Sequence, residues 1–251
     1  MKKIYLAALT LAMTACVSND DLNPVDNYGY IDVNVSNDPV MQTRGTLGVS
    51  DLNNWVVLAS DNSDETEDIR LTAASTKVKA GKYTVSAKSH ASAAEALTDN
   101  DGWGAAYYEG TSDEVTVEAG QPAVAVVNCG TAKNARLKVQ FSLISNFTEY
   151  SLTALTEDRT LVFNSENAAS ALAYYAATEE VEYTLSYKYN NTPKEITGTI
   201  TMKGAATENI ISIASNDNGT ISVTVNYDDT FGTGNSENLE FDAATGDEVK
   251  K

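Results

Sequence analysis

Short runs built from Val, Ile, Thr, Tyr and alternating apolar residues recur roughly every ten residues along this chain. Helical periodicity between them is nearly absent. Ile31-Asp32-Val33-Asn34-Val35 alternates strictly, so one face would be buried. Trp55–Ala59 is a continuous apolar run, suited to a strand covered on both sides. Lys77–Lys79, a turn at Ala80-Gly81, and Lys82–Ala87 read as a hairpin, with Tyr83, Val85 and Ala87 on one face. Val115–Val117, a turn at Glu118-Ala119-Gly120, and Ala123–Cys129 repeat that grammar. After the polar break Gly130–Asn134, further strands are expected at Leu137–Leu143, Tyr150–Ala154, Leu161–Phe163, Tyr183–Tyr189, Ile196–Met202, Ile210–Ala214 and Ile221–Val225. Only Ala168–Ala177 reads as helical. Strand following strand disfavours parallel α/β architectures. The expected fold is all-β, with two tandem antiparallel β-sandwich-like domains at 29–130 and 135–227 and an acidic tail at 228–251.

The first 28 residues stand apart from this pattern. Met1-Lys2-Lys3 is a basic start, and Ile4–Met13 is an apolar run too short for a bilayer core, which needs about 20 residues. Thr14-Ala15 then precedes Cys16, so 1–15 reads as a signal peptide. Met13-Thr14-Ala15-Cys16 resembles a bacterial lipobox, which would make Cys16 the acylated N-terminus. Each buried methylene of such a lipid contributes about 0.8 kcal/mol, so two or three chains hold a protein on a bilayer. Residues 16–28, rich in Asn and Asp, read as the lipidated cysteine and a flexible acidic tether. With Cys16 acylated, Cys129 has no partner for a disulfide and reads as a buried, inert thiol.

Charge excludes some partners. The chain carries 17 Lys+Arg against 35 Asp+Glu, a net −18. Phosphate backbones bind proteins through Lys and Arg, so nucleic acid is not an expected partner. Anionic headgroups repel the chain too, so any membrane attachment must be covalent or apolar.

Motifs that carry chemistry are missing. The single histidine, His90, has no spacing partner for zinc and no nucleophile-elbow serine to serve. No nucleotide loop, Cys-x-x-Cys or His-Glu-x-x-His occurs. Asp61–Asp68 and Asp99-Asn100-Asp101-Gly102 hold oxygen donors, but aligning Gly102 with an EF-hand loop puts Leu97 first and Tyr108 last, where carboxylates belong. No catalytic residue, metal site or cofactor is expected, and the chain reads as a non-enzyme. Trp103, Tyr107, Tyr108, Tyr174 and Tyr175 leave two readings open: exposed, they would stack on sugar rings; at alternating spacing, they pack cores or domain junctions.

Taken in order, the leader ending at Cys16, Lys79–Ala87, Tyr108-Glu109-Gly110, Val117–Gly120, Val127-Asn128-Cys129 and the long strand Arg136–Leu143 resemble the fimbrillin-like surface lipoproteins of Bacteroidetes. More narrowly, the chain is similar to their subgroup known as a domain of unknown function. It departs in having Lys88-Ser89-His90 where a Gly commonly follows the Tyr-x-Val-x-Ala strand. The resemblance implies a lipid-anchored structural or adhesive subunit of a pilus-like assembly at the cell surface, with other fimbrillin-like subunits as partners. The alternative is a glycan-binding lipoprotein of a polysaccharide-uptake system, with a glycan or host surface as ligand. Val17–Asp21 resembles a surface-export signal, with Asp20 and Asp21 as its acids. The resemblance also implies maturation by cleavage after an arginine, for which Arg44 is the candidate. An incoming strand would then refill the groove, and Leu239 and Phe241 in Asn238–Asp242 form the candidate donor.

Overall fold

The computed structural model describes residues 27–36, 54–63, 67–216, 219–229 and 236–249. These form two β-sandwiches. In the first, β1 (Tyr28–Ser36) lies between β4 (Ser75–Lys79) and β8 (Pro122–Asn128). The facing sheet runs β3 (Ile69–Arg70), β2 (Val56–Asp61), β5 (Gly81–Lys88), β6 (Glu109–Thr111), with β7 (Val115–Val117) also on β5. Ile31, Val33 and Val35 meet Val57, Tyr83, Val85 and Ala87 across the core, as their alternation requires. Burying each such aliphatic side chain contributes about 1.5–3 kcal/mol.

The second sandwich packs β11 (Thr160–Asn164), β10 (Phe147–Leu155), β13 (Glu180–Tyr189), β14 (Thr192–Thr201) against a five-stranded sheet. That sheet runs β12 (Ala173–Tyr175), β9 (Ala135–Ser142), β15 (Thr207–Ser215), β16 (Thr220–Asp229), β17 (Ser236–Asp242). Leu137, Val139, Ile211 and Ile213 face Leu152, Phe163, Leu185 and Ile196 in its core. The all-β expectation holds, and most described pairings are antiparallel. In each domain, however, the first strand lies parallel to a later one: β1 to β8 and β9 to β15.

Three local expectations differ from the structure. Residues 168–177 form no helix: turns lead into β12, whose Ala173 and Tyr175 are buried. Asn164 Oδ1 accepts from the Glu166 and Asn167 amides, and Asn167 Oδ1 accepts from the Asn164 amide. Such side-chain bonds offer the backbone an alternative to the helix. The helix lies instead at α1 (Ala93–Thr98). The two expected hairpins are crossovers: β4 pairs with β1 while β5 pairs with β2, and β7 pairs with β5 while β8 pairs with β1. Alternation fixes which face is buried, not which strand is the neighbour. Lastly, the stretch expected as an acidic tail contains β17, hydrogen-bonded to β16 with Phe241 opposite Ile221 and Ala243 fully buried beyond it.

Among the described residues β8 ends its sheet, and the outer face it shares with β1 is apolar. Tyr28, Tyr30, Val124 and Val126 are all exposed there, Val126 by 62%.

Candidate functional site: the junction of the two sandwiches

The segment from Ser89 to Tyr108 reaches out of the first sandwich. Ser92 caps the following helix: its Oγ accepts from the Glu95 amide at 3.1 Å, while Glu95 Oε2 accepts from the amide of Ala91, one residue before the cap, at 2.7 Å. His90 braces the segment, with Nδ1 3.0 Å from Ser89 Oγ and Nε2 3.3 Å from Asp99 Oδ2. The Asn100 amide, and then His90, hold the Asp99 carboxyl below its usual pKa. The chain turns through left-handed backbone at Asn100, Asp101, Gly102 and Gly104. Gly104 has φ +78°, and a Cβ there would stand 3.1 Å from Tyr174 Cβ.

This arm is held by the second sandwich. Trp103 meets Phe163 edge-on at 5.0 Å, and its carbonyl accepts from the Tyr174 amide at 2.8 Å. The Arg159 guanidinium donates to the carbonyls of Leu97 and Gly102, each at 2.9 Å, and also to that of Tyr174. It lies over the Tyr175 ring at 4.1 Å. One side chain therefore satisfies the Leu97 carbonyl left open at the end of α1 and the Gly102 carbonyl in the turn beyond it. Asn134 pins the arm from the other side. Its Nδ2 donates to the Ala105 carbonyl at 2.7 Å, its Oδ1 accepts from the Tyr107 amide at 3.0 Å, and its carbonyl accepts from the Ala206 amide at 3.0 Å.

A cleft of about 170 Å³ opens beside these contacts. Its floor is a row of side chains from four neighbouring strands. Tyr174 stands opposite Arg136, Arg136 opposite Glu208, and Glu208 opposite Asp228. Ala135, Leu137, Thr207, Asn209 and Tyr227 alternate with them and point inward. Arg136 Nη2 pairs with Glu208 Oε1 at 2.8 Å. Tyr108 forms the opposite wall, stacked on Trp55 at 6.4 Å. Burial and the neighbouring Tyr174 raise the Tyr108 pKa. Asp228 Oδ1 is buried and has no hydrogen-bond partner among the described residues.

Of the residues singled out from sequence, Cys16, Asp20, Asp21 and Arg44 lie outside the described residues, as does the leader. Leu239 and Phe241 both lie on β17, the first exposed and the second buried. Tyr107 and Tyr175 are buried, while Trp103, Tyr108 and Tyr174 lie at the junction; the packing reading describes most of this group. Cys129 is buried, which pushes its thiol up to about 11. Among the described residues no group of three His, Cys, Asp or Glu is placed to hold a metal ion. No helix among them is long and apolar enough to cross a membrane, which does not bear on a β-barrel. Arg159 and the row Arg136–Glu208–Asp228 went unseen in the sequence. The available signal was a charged residue set between inward-facing neighbours on each strand.

No curated protein matches the chain significantly. Solved structures similar to it include a candidate cell adhesion protein from Bacteroides fragilis, at 10% identity and TM-score 0.42, covering 82% of this chain and 99% of that one. Another is a candidate cell adhesion protein from Bacteroides ovatus, at 13% identity and TM-score 0.40, covering 83% and 96%. A third is a fimbrial assembly protein from Parabacteroides distasonis, at 11% identity and TM-score 0.44, covering 84% and 98%. The sequence family described as Domain of unknown function (DUF4493) matches residues 27–243, and the chain belongs to that family.

Proposed function

We propose that this protein is a non-enzymatic, lipid-anchored cell-surface subunit that joins copies of itself or related subunits in a pilus-like assembly. The carrying observation is the seat of β1. This strand lies between β4 and β8, is joined to β2 by residues 37–55, and holds its place through backbone pairing and Ile31, Val33 and Val35. Removing it would leave two unpaired strand edges around an apolar groove, a template for β-augmentation. The only basic residue between the leader and Arg70 is Arg44, eight residues beyond the end of β1. Cleavage there would untie β1 from the rest of the chain.

Leu239-Glu240-Phe241-Asp242-Ala243 repeats the apolar–polar alternation of Ile31–Val35. In this reading β17 is a donor stored on the edge of its own second sheet, and it peels from β16 to fill the groove of the next subunit. Cys16 anchors the uncut chain to the outer membrane until cleavage after Arg44 frees it for assembly, and Asp20 and Asp21 direct display.

Whole cells test the proposal. Cys16→Ser should move the protein from membrane to soluble or unprocessed fractions, and Asp20→Ala with Asp21→Ala should shield it from protease added outside. Arg44→Gln should abolish heat-labile surface ladders. A Cys16→Ser protein still on the membrane at normal size refutes the anchor, and unchanged ladders in Arg44→Gln refute the assembly route.

A further inference from the structure

The cleft at the junction has features that domain packing alone does not require. Glu208 and Asp228 stand directly opposite on adjacent strands, where like charges destabilise a sheet. Arg136 Nη2 pairs with Glu208 at 2.8 Å, and Asp228 keeps a buried oxygen with no donor among the described residues. Buried acceptors are nearly always satisfied, and one that is not points to a missing partner.

We propose that this cleft binds a single pyranose residue of a glycan. Hydroxyls on a sugar ring donate and accept side by side, and the row offers the complement. Asp228 and Glu208 accept, Arg136 donates, and Tyr174 and Tyr108 supply aromatic surface at the floor and wall. About 170 Å³ is below the range for drug-sized ligands and suits one ring rather than an extended oligosaccharide. A cationic ligand would also satisfy Asp228, but Arg136 in the centre of the row opposes a second positive charge and its donors would go unused. The site exists in the folded single chain, so it serves an adhesive subunit or an uptake protein equally and does not depend on cleavage at Arg44.

The test titrates the purified chain with methyl glycosides of glucose, galactose, mannose, fucose and N-acetylglucosamine, read by saturation-transfer and amide NMR. At least one glycoside should bind with a dissociation constant on the order of 1 mM, as befits a fragment-sized ligand. Its protons should receive saturation from tyrosine rings, and the perturbed amides should cluster at 105–108 and 207–208. Asp228→Asn and Tyr174→Ala should each weaken binding tenfold or more. A mucin glycoprotein and a plant polysaccharide, immobilised separately, then distinguish the glycan's source. Absence of binding by every glycoside overturns the proposal, as does a perturbed surface elsewhere in the unmutated chain. So does preferential binding of Nα-acetyl-lysine amide or Nα-acetyl-arginine amide.

Discussion

The Arg159 guanidinium in the second sandwich donates to the Leu97 carbonyl in the first at 2.9 Å, across sixty-two positions of sequence. The same group reaches Gly102 and Tyr174, so a single side chain couples α1 to the edge of the other domain. Arg159→Ala should cost about 2 kcal/mol, in line with charge-assisted hydrogen bonds to groups left partly buried. Arg159→Lys should recover little, because an ammonium cannot reproduce the planar fork. Urea unfolding is expected to change from one transition to two as the sandwiches uncouple. An unchanged single transition in Arg159→Ala would contradict this role.

Alkali should unfold the protein through its buried tyrosines. Burial pushes Tyr107, Tyr175 and Tyr187 up to about 12. A folded pKa above the unfolded value near 10 means this stabilisation is complete below pH 10 and is lost as pH rises toward 12. Each group can remove up to about 1.4 kcal/mol per pH unit in that window. The Tyr175 hydroxyl is buried without a partner among the described residues. Tyr175→Phe should therefore be neutral or stabilising by about 1 kcal/mol at pH 7 and should raise the alkaline midpoint. Circular dichroism against pH checks both, and a destabilised Tyr175→Phe would show that the hydroxyl has a partner.

Gly29 seats β1. A Cβ there would stand 2.3 Å from the Glu118 carbonyl oxygen and 2.6 Å from Val117 Cγ1. Gly29→Ala must push β1 away from the β7–β8 turn, at about 1–3 kcal/mol. Heating should then melt the first sandwich at lower temperature, and cleavage after Arg44 should release β1 faster. Equal release from both proteins would mean that this contact does not hold the strand.

Much of the fold was legible because period-two alternation reports burial directly: Tyr83, Val85 and Ala87, or Tyr183, Leu185 and Tyr187, are buried as their spacing requires. Alternation carries no information about partners, so both hairpins turned out to be crossovers between sheets. The Ala-rich stretch 168–177 misled because propensity yielded to Asn side-chain bonds and to the edge of β9. β17 was hidden among acids, with only Leu239 and Phe241 to mark it as a strand. The junction was harder still. Tyr174, Arg136, Glu208 and Asp228 come from four strands and meet only through register, and Arg159 follows Glu157-Asp158 in what reads as a solvated turn.

Strand exchange is the central claim, and native mass spectrometry of the cut protein tests it most directly. The purified chain is cleaved after Arg44 with an arginine-specific protease, and its mass is followed beside the Leu239→Asp, Phe241→Asp variant. The account predicts that the fragment carrying Ile31, Val33 and Val35 leaves, and that the remainder forms multimers that the variant cannot form. A cleaved chain that keeps its fragment and stays monomeric, or multimers that persist in the variant, would contradict it.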